Sequence, residues 1–334
     1  MLRLQKMSNP IIHIEQCGYL TTLQDGGRKG YLNYGVSKGG AMDMYAMNIA
    51  NLLTGNEQNE AVLEITQSPH RLRFLTDALI AFTGGGLQPV IQQTELPLYQ
   101  PHFVRADTVI DLQQQLSGFR LYLSVAGGFE TDSFLNSCAT DLTVQAGGFS
   151  GRKLKKGDLL NAIRKLNVQQ KEWMQVLKSS NIRINHQLTA NHTDVLRVFK
   201  NAEWEYLTNE AKQKITASPF TVTIQSNRMG YRLTGDALHT VPSCNIISSP
   251  VTQGTVQLTS SGELIVLMAD AQTIGGYPRV LQIAGADLHI LAQKKPGDRI
   301  QFKLIEFEEA EELLLTQKKQ LHSLQQLIQK FYAH

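Results

Sequence analysis

The sequence predicts a mainly β protein with some α, built from two β-rich domains and closed by a helix. Length is the first reason: 334 residues, 42% of them hydrophobic and 18% charged, can bury a sizeable core and exceed the usual span of one domain. The second lies between Arg71 and Leu160, where short apolar runs (R-L-R-F, A-L-I-A-F-T, F-V-R, T-V-I-D-L, F-R-L-Y-L-S-V-A) alternate with Gly, Pro, Asp and Asn turns. Such spacing favours a barrel or sandwich over alternating β-α-β units. The third is that helical spacing is confined to a few stretches, the clearest near residues 41–54 and at the C-terminus.

Composition removes several classes. Apolar runs stay short of the roughly 18 residues that span a bilayer, and the opening M-L-R-L-Q-K-M-S-N-P-I-I-H-I-E-Q lacks the apolar segment of a signal peptide, so a cytoplasmic location is expected. Cys17, Cys138 and Cys244 are an odd, widely spaced set without C-x-x-C, which argues against a disulfide framework and a zinc ribbon and for reduced, mostly buried thiols. A net charge of +3 with its cations spread along the chain offers no stripe for a nucleic-acid backbone, and Asn191-His-Thr is a glycosylation sequon only on paper.

In chain order, Ile11 to Ile14 read as a short strand. Gly18 to Val36 then forms a glycine-rich, backbone-led segment whose polar content is Thr22, Gln24, Asp25 and Arg28. It suits an anion cradle or an Asp-Gly turn between strands, and it is no Walker loop, because G-x-x-x-x-G-K-[ST] is absent from the chain. Met42, Ala46, Ile49, Ala50 and Leu53 share one helical face and Gly55 is placed to end that helix. Asp43 stands in its first turn, where complementing the helix dipole competes with a chemical role. Glu64 interrupts the apolar pattern of A-V-L-E-I-T, so it either faces solvent on an edge or finds a partner inside. Glycine runs at 84–86, 127–128 and 147–148 follow apolar strands, as backbone approaches to a ligand or as plain turns, and Ser150 lacks the G-x-S-x-G setting of a hydrolase nucleophile.

After Ile163 the text turns polar and glycine-free, weakly helical and then without period, which marks the connection between domains. V-L-R-V-F opens the second domain with a strand, and a short helix is expected from Trp204 to Ile215, ending before Pro219. S-N-R-M-G-Y-R-L-T-G sets Arg228, Tyr231 and Arg232 around one glycine, suiting a carboxylate or phosphate ligand, with a salt-bridge role competing for one arginine. The strand of P-V-T-Q-G-T-V-Q-L carries Gln257. Leu264 to Met268 is an apolar run short enough for a strand buried on both faces, and it delivers Asp270, Gln272 and Thr273 to its end. Gly275, Gly276 and Pro278 turn the chain and carry Tyr277 and Arg279 around the bend. This is the pattern of a small-molecule site, with a solvated hairpin as its structural counterpart.

Phe307, Ala310, Leu314, Gln317, Leu321, Leu324, Ile328 and Phe331 are spaced alternately by three and four, an apolar seam with Gln317 the one polar member. Its cover is the protein's own barrel, a partner protein or a second copy of the chain.

The blocks G-Y-L-T-T-L-Q-D-G-G-R-K-G-Y, G-A-M-D-M-Y-A-M-N-I-A-N-L-L-T-G-N, A-V-L-E-I-T, V-A-G-G-F, G-G-F-S-G-R-K-L-K-K-G-D, S-N-R-M-G-Y-R-L, Q-T-I-G-G-Y-P-R and L-A-Q-K-K-P-G-D-R-I, in order over about residues 12 to 305, resemble the family of 5-oxoprolinase C subunits. That family is also described as allophanate hydrolase subunit 2-type or biotin-dependent carboxyltransferase-like, and it includes the antagonist of the sporulation kinase inhibitor. The resemblance implies a cyclophilin-like β-barrel in the C-terminal half and a B-type partner protein, hence a hetero-oligomer. Joined by an A-type protein, the assembly is an ATP-dependent hydrolase opening 5-oxoproline to glutamate, ATP being bound somewhere in the complex and no metal or biotin site being evident in this chain. The alternative is a regulatory or scaffolding component that binds its B-type partner without catalysis. Expected boundaries are 12–165 for the first domain, 166–190 for a linker, 191–308 for the cyclophilin-like domain and 309–334 for the helical tail. Asp270 and Glu64 are the expected catalytic groups. Arg228, Tyr231, Gln257, Gln272, Thr273, Tyr277, Arg279, Gln24, Asp25, Arg28 and Asp43 are expected to bind a small-molecule substrate, with Arg228, Tyr231, Asp270, Gln272 and Tyr277 around one cavity of the barrel. The chain departs from the family pattern at Gly86, Cys138 and Ala271, where an Asp, an Arg and an Arg are the family's residues. Ala271 is expected on an exposed pocket rim.

Overall fold

The computed structural model describes residues 10–67, 69–114, 117–164, 166, 168–177, 193–241 and 246–332, so Cys244, the Asn191 sequon and most of the expected linker lie outside the described residues. The chain forms two compact units. One comprises Met1–Gly26, Tyr45–His186 and Leu324–His334, and the other Gly27–Met44 and Gln187–Ser323. Domain boundaries drawn in chain order do not provide for the excursion of Gly27–Met44 into the second unit.

The first unit contains two antiparallel sheets. The six-stranded sheet runs β11 (Leu159–Asn161), β1 (Pro10–Gln16), β4 (His70–Phe74), β9 (Val109–Gln114), β6 (Leu87–Ile91), β7 (Thr94–Glu95). The five-stranded sheet runs β2 (Leu20–Gln24), β3 (Val62–Thr66), β10 (Arg120–Val125), β5 (Ala78–Gly84), β8 (Pro101–Val104). Between them lies one apolar core, to which the first sheet gives Ile12, Ile14, Leu72, Phe74 and Ile110 and the second Leu63, Ile65, Leu121, Leu123 and Phe82. Because strand side chains alternate, Glu64, Tyr122, Ser124 and Thr83 fall on the opposite face of the second sheet, and they too are buried. The expected helix, α1 (Met44–Leu53), covers part of that face. Thr83 Oγ1 donates to the Ala46 carbonyl at 2.7 Å, and Ser124 Oγ donates to Asn51 Oδ1 at 2.8 Å.

The second unit is organised on a closed seven-stranded barrel in the order β12 (Val195–Lys200), β19 (Arg279–Ile283), β16 (Thr255–Leu258), β17 (Leu264–Leu267), β14 (Gly230–Thr234), β13 (Phe220–Val222), β20 (Arg299–Leu304). A parallel pairing of β12 with β20 closes the circle, while the other neighbours run antiparallel. Val198, Leu233, Val256, Val266, Leu281 and Phe302 fill it, joined by Met42 from the Gly27–Met44 excursion. A two-stranded ribbon, β15 (Ser249–Pro250) with β18 (Ile274–Gly275), is formed beside it. The mainly β, barrel-containing class with a C-terminal helix is therefore the observed one.

Two local outcomes refine the sequence reading. The polar stretch after Ile163 holds a helix, α2 (Val168–Leu177). The single helix expected from Trp204 to Ile215 is instead a 3-10 turn at Trp204–Tyr206 followed by α3 (Asn209–Ala217), because Thr208 is extended and its hydroxyl accepts from the Ala211 N–H at 3.2 Å, starting a new helix there.

After α4 (Leu288–Ala292), the tail forms α5 (Phe307–Tyr332), and the first turns of its seam pack on the chain's own residues. Ala310 packs with Ala284 and Ile305, and Phe307 meets Phe199 edge-on at 5.4 Å. Gln317, the polar member, donates to the Ala286 carbonyl at 3.1 Å, which explains its place in an apolar row. Leu321 and Leu324 are buried, whereas the side chain of Phe331 lies outside the described residues.

Candidate functional site

Antiparallel pairing of Gly230 with Leu267 puts the segment before β14 and the turn after β17 at one end of the barrel, and this brings Arg228 to Asp270. The guanidinium donates twice to the carboxylate, Nε to Oδ2 at 2.7 Å and Nη2 to Oδ1 at 3.0 Å, and Nη2 also donates to the Gly40 carbonyl at 2.6 Å. Backbone bonds repeat the link, Asp270 N–H to the Arg228 carbonyl and Gly39 N–H to the Ala269 carbonyl, both at 2.9 Å. The arginine side chain is 7% exposed and the aspartate 21%, so the pair is neutral and oriented but leaves a carboxylate edge open to a donor. The Gly27–Met44 excursion supplies three more polar side chains. Arg28 is buried and its Nε donates to the Ser37 carbonyl at 3.2 Å. Asp43, just before α1, accepts from Gln293 Nε2 at 2.8 Å. Lys38 is half-buried, and burial, followed by repulsion from Lys29, lowers its ammonium pKa.

Elsewhere in the barrel the expected residues separate. Tyr231 belongs to the apolar core and its hydroxyl donates to the Lys294 carbonyl at 3.2 Å. Gln257 is buried and donates to the Tyr277 carbonyl at 3.2 Å. Thr273 is buried, its carbonyl accepting from the Val251 N–H at 3.0 Å, and Gln272 is exposed. Tyr277 lines a cavity of about 380 Å³ with Leu238, His239, Thr259, Ser260 and Pro278, and Arg228, Tyr231, Asp270 and Gln272 are not part of that wall. Arg279 is held by Glu203 through two side-chain bonds at 2.8 and 2.6 Å, and the same carboxylate accepts the Arg279 N–H at 2.8 Å. Hydrogen bonding to Arg279 keeps the Glu203 carboxyl below its ordinary range and raises the guanidinium in return. Glu203 was not legible as a partner because 76 residues separate the two.

In the first unit, Glu64 takes the interior alternative. It is 1% exposed, its Oε2 accepts from the Tyr122 hydroxyl at 2.8 Å, and Arg120 Nε stands 3.9 Å from its Oε1. Register aligns Thr22, Glu64, Tyr122 and Thr83 in one row across four strands. Arg120 and Tyr122 were missed in sequence, although their alternation in F-R-L-Y-L-S placed both opposite the apolar face. Gln24 is fully buried, its Nε2 donating to Thr22 Oγ1 at 3.0 Å and to the Thr140 carbonyl at 3.2 Å. Asp25 accepts from Ser137 Oγ at 2.7 Å and from the Cys138 N–H at 2.6 Å, fixing the loop that contains that cysteine.

The three departures have physical settings. Gly86 adopts φ +81°, and a β-carbon there would stand 2.8 Å from the Phe119 backbone, so the local chain admits only glycine. Cys138 is half-buried, and burial raises its thiol pKa. Ala271 is only 7% exposed and packs with Val251 and Leu267, which corrects the expectation of an exposed rim. Among the described residues no group of three or more His, Cys, Asp or Glu side chains is arranged to hold a metal ion, and no helix is long and apolar enough to cross a membrane.

Comparison with known proteins adds three findings. The family model described as carboxyltransferase domain, subdomain A and B, matches residues 34–304. The chain is 36% identical to the 5-oxoprolinase C subunit of Escherichia coli over 90% of this chain and 93% of that one, and 34% identical to that of Haemophilus influenzae over 87% and 90%. Its structure is similar to the crystal structure of Kluyveromyces lactis urea carboxylase, with a TM-score of 0.84 and 25% identity, over 97% of this chain and 30% of that chain.

Proposed function

We propose a function from one premise: the chain belongs to the carboxyltransferase domain family, subdomain A and B. It acts as the C-type component of an ATP-dependent 5-oxoprolinase, or of a related hydrolase of amides or lactams, working in the cytoplasm with a B-type partner and an A-type protein. The observation that carries this reading is the 36% identity to a 5-oxoprolinase C subunit over nearly the full length of both chains. The urea amidolyase of Saccharomyces cerevisiae, by contrast, shares only 18% of its length with this chain, so it speaks for a common module more than for a common role.

ATP bound in the assembly would supply activation of the lactam or amide. The residues of this chain orient the substrate and handle protons. Asp270, aligned by Arg228, presents one carboxylate edge to an N–H or to the attacking water. Glu64, bonded to Tyr122 beside Arg120, places a second carboxylate among buried polar groups, where charge is stabilised by fixed donors and not by solvent. Ring opening adds water across the C–N bond, and the freed nitrogen takes a proton.

The pairing of Arg279 with Glu203 and of Arg228 with Asp270 favours a second reading, in which the chain is a regulatory or scaffolding component without turnover, since neither guanidinium faces an open site alone. Co-expression with the A-type and B-type proteins separates the two. ATP-dependent conversion of 5-oxoproline to glutamate, lost when this chain is omitted, supports catalysis; a stable complex with no conversion supports the regulatory role.

A further inference from the structure

Two loops meet at one end of the barrel. β14 runs antiparallel to both β13 and β17, so the end of β13, the start of β14 and the end of β17 lie together. The turn from β13 to β14 stands at this end. The Gly27–Met44 excursion is tied to it by the Gly39 N–H on the Ala269 carbonyl and by Arg228 Nη2 on the Gly40 carbonyl.

Both loops are braced from within and still show apolar groups to solvent. The Arg28 N–H donates to the Lys38 carbonyl at 2.7 Å and closes the excursion's loop at its foot. At its tip the Tyr34 and Val36 N–H groups both donate to the Tyr31 carbonyl, at 3.0 and 3.3 Å. Yet the 3-10 turn formed there, Leu32–Tyr34, buries none of its residues, and Tyr34 is 74% exposed. In the neighbouring turn Asn227 Oδ1 accepts from the Met229 N–H at 2.8 Å, while the Met229 side chain is exposed and Ile224 is 87% exposed. Apolar groups held in water contribute no burial energy, and a loop already fixed in shape loses little entropy when a partner covers it.

The same end is cationic. Lys29 and Arg232 are exposed, and Lys38 is half-buried where the charge of Lys29 repels it. Among the described residues, none of these three side chains is paired with a carboxylate. Asp270, the carboxylate at this end, is already bonded to Arg228. A half-buried ammonium with a like charge beside it is stabilised by a carboxylate brought from outside. A second copy of the chain, applying the same surface about a two-fold axis, would set these cations against one another, which favours a different protein as the occupant.

We infer that this end of the barrel is the docking surface for the B-type partner, which brings carboxylates to Lys29 and Lys38 beside an apolar hollow that receives Leu32, Tyr34 and Met229. The inference rests on the proposed function for the identity of the partner and adds the surface and the charge of what covers it.

The test uses the full chain and the purified B-type protein, with affinity read by calorimetry at low and high salt and no turnover required. The wild type forms the complex, and the complex weakens as salt rises. Tyr34→Ser and Met229→Ser each weaken it at least about tenfold without lowering the melting temperature, because the groups they remove are exposed in the free chain. Joint replacement by Lys29→Glu and Lys38→Glu weakens it about a hundredfold or more, and added salt then no longer weakens it, since the remaining charges repel. Leu315→Ser, at an exposed position of α5, binds as the wild type does. Wild-type affinity in the charge-reversed variant, or in both serine variants, overturns the inference and leaves the proposed function standing. Absence of any complex between the wild-type chain and the B-type protein overturns both. Self-association of the chain that the same substitutions abolish overturns the inference as well, by giving the surface to a second copy.

Discussion

Gln257 Nε2 lies 2.5 Å from the position that a β-carbon on Gly275 would occupy, while donating to the Tyr277 carbonyl two residues further on. The amide can swing away from a new methyl group, but Gln257 is 1% exposed and finds no water when it does. Gly275→Ala is therefore expected to cost about 1–2 kcal/mol, the cost of a displaced buried hydrogen bond. Urea melts of Gly275→Ala, Gln257→Ala and the double variant check it: the double variant should be less destabilised than the sum of the singles. Additive losses would mean that the glycine is required for another reason.

Asp270→Ala removes the carboxylate that holds both Nε and Nη2 of Arg228, a side chain only 7% exposed. Taking the counter-charge from a buried guanidinium in this way is expected to cost about 3 kcal/mol. A loss below about 1 kcal/mol in chemical denaturation would show instead that solvent screens the pair as it does surface ions.

His70 predicts how stability responds to acid. Its Nε2 accepts from Thr21 Oγ1 at 2.6 Å and from the Gly18 N–H at 3.1 Å, a neutral-ring arrangement, and burial lowers its pKa from 6.5 to about 4. Between those two values the unfolded chain binds the extra proton and the folded chain does not, so stability is complete above pH 6.5 and falls as pH drops towards 4. The loss amounts to about 3 kcal/mol at most. Denaturant midpoints of the wild type and His70→Gln across this window measure it; the variant should be less stable at neutral pH and show a flatter profile.

Ala271→Arg restores a charge that the family pattern has, yet here it would drive a long cation into the space filled by Val251 and Leu267. A loss of about 2 kcal/mol or more is expected, from overpacking and from burial of an unpaired charge. A thermal melt identical to wild type would show that the side chain escapes to solvent.

Elements with a strong period were legible. The helix near 41–54 appears as Met44–Leu53, the apolar run at 264–268 as Leu264–Leu267, and the alternating threes and fours of the tail as Phe307–Tyr332. What escaped was pairing over distance. Arg228 meets a carbonyl 188 residues away and Arg279 a carboxylate 76 residues away, and neither register nor composition carries that information. Side-chain chemistry and motif resemblance single out residues one at a time, whereas the fold decides which of them meet. Glu64 shows the intermediate case. Its interruption of an apolar strand was visible, and the choice between solvent and partner was settled only by the strands beside it, which bring Tyr122 and Arg120 into reach.

The polypeptide passes between its two compact units four times, after Gly26, Met44, His186 and Ser323. A gene cut once, anywhere, thus yields no fragment that contains one unit whole and nothing of the other. Cutting after His186 leaves the barrel without Met42, one of its core residues, and deprives the remaining fragment of the end of α5 from Leu324. Two such fragments produced in one cell should recover solubility only together, by complementation, while each alone exposes the apolar surface that the other was made to cover.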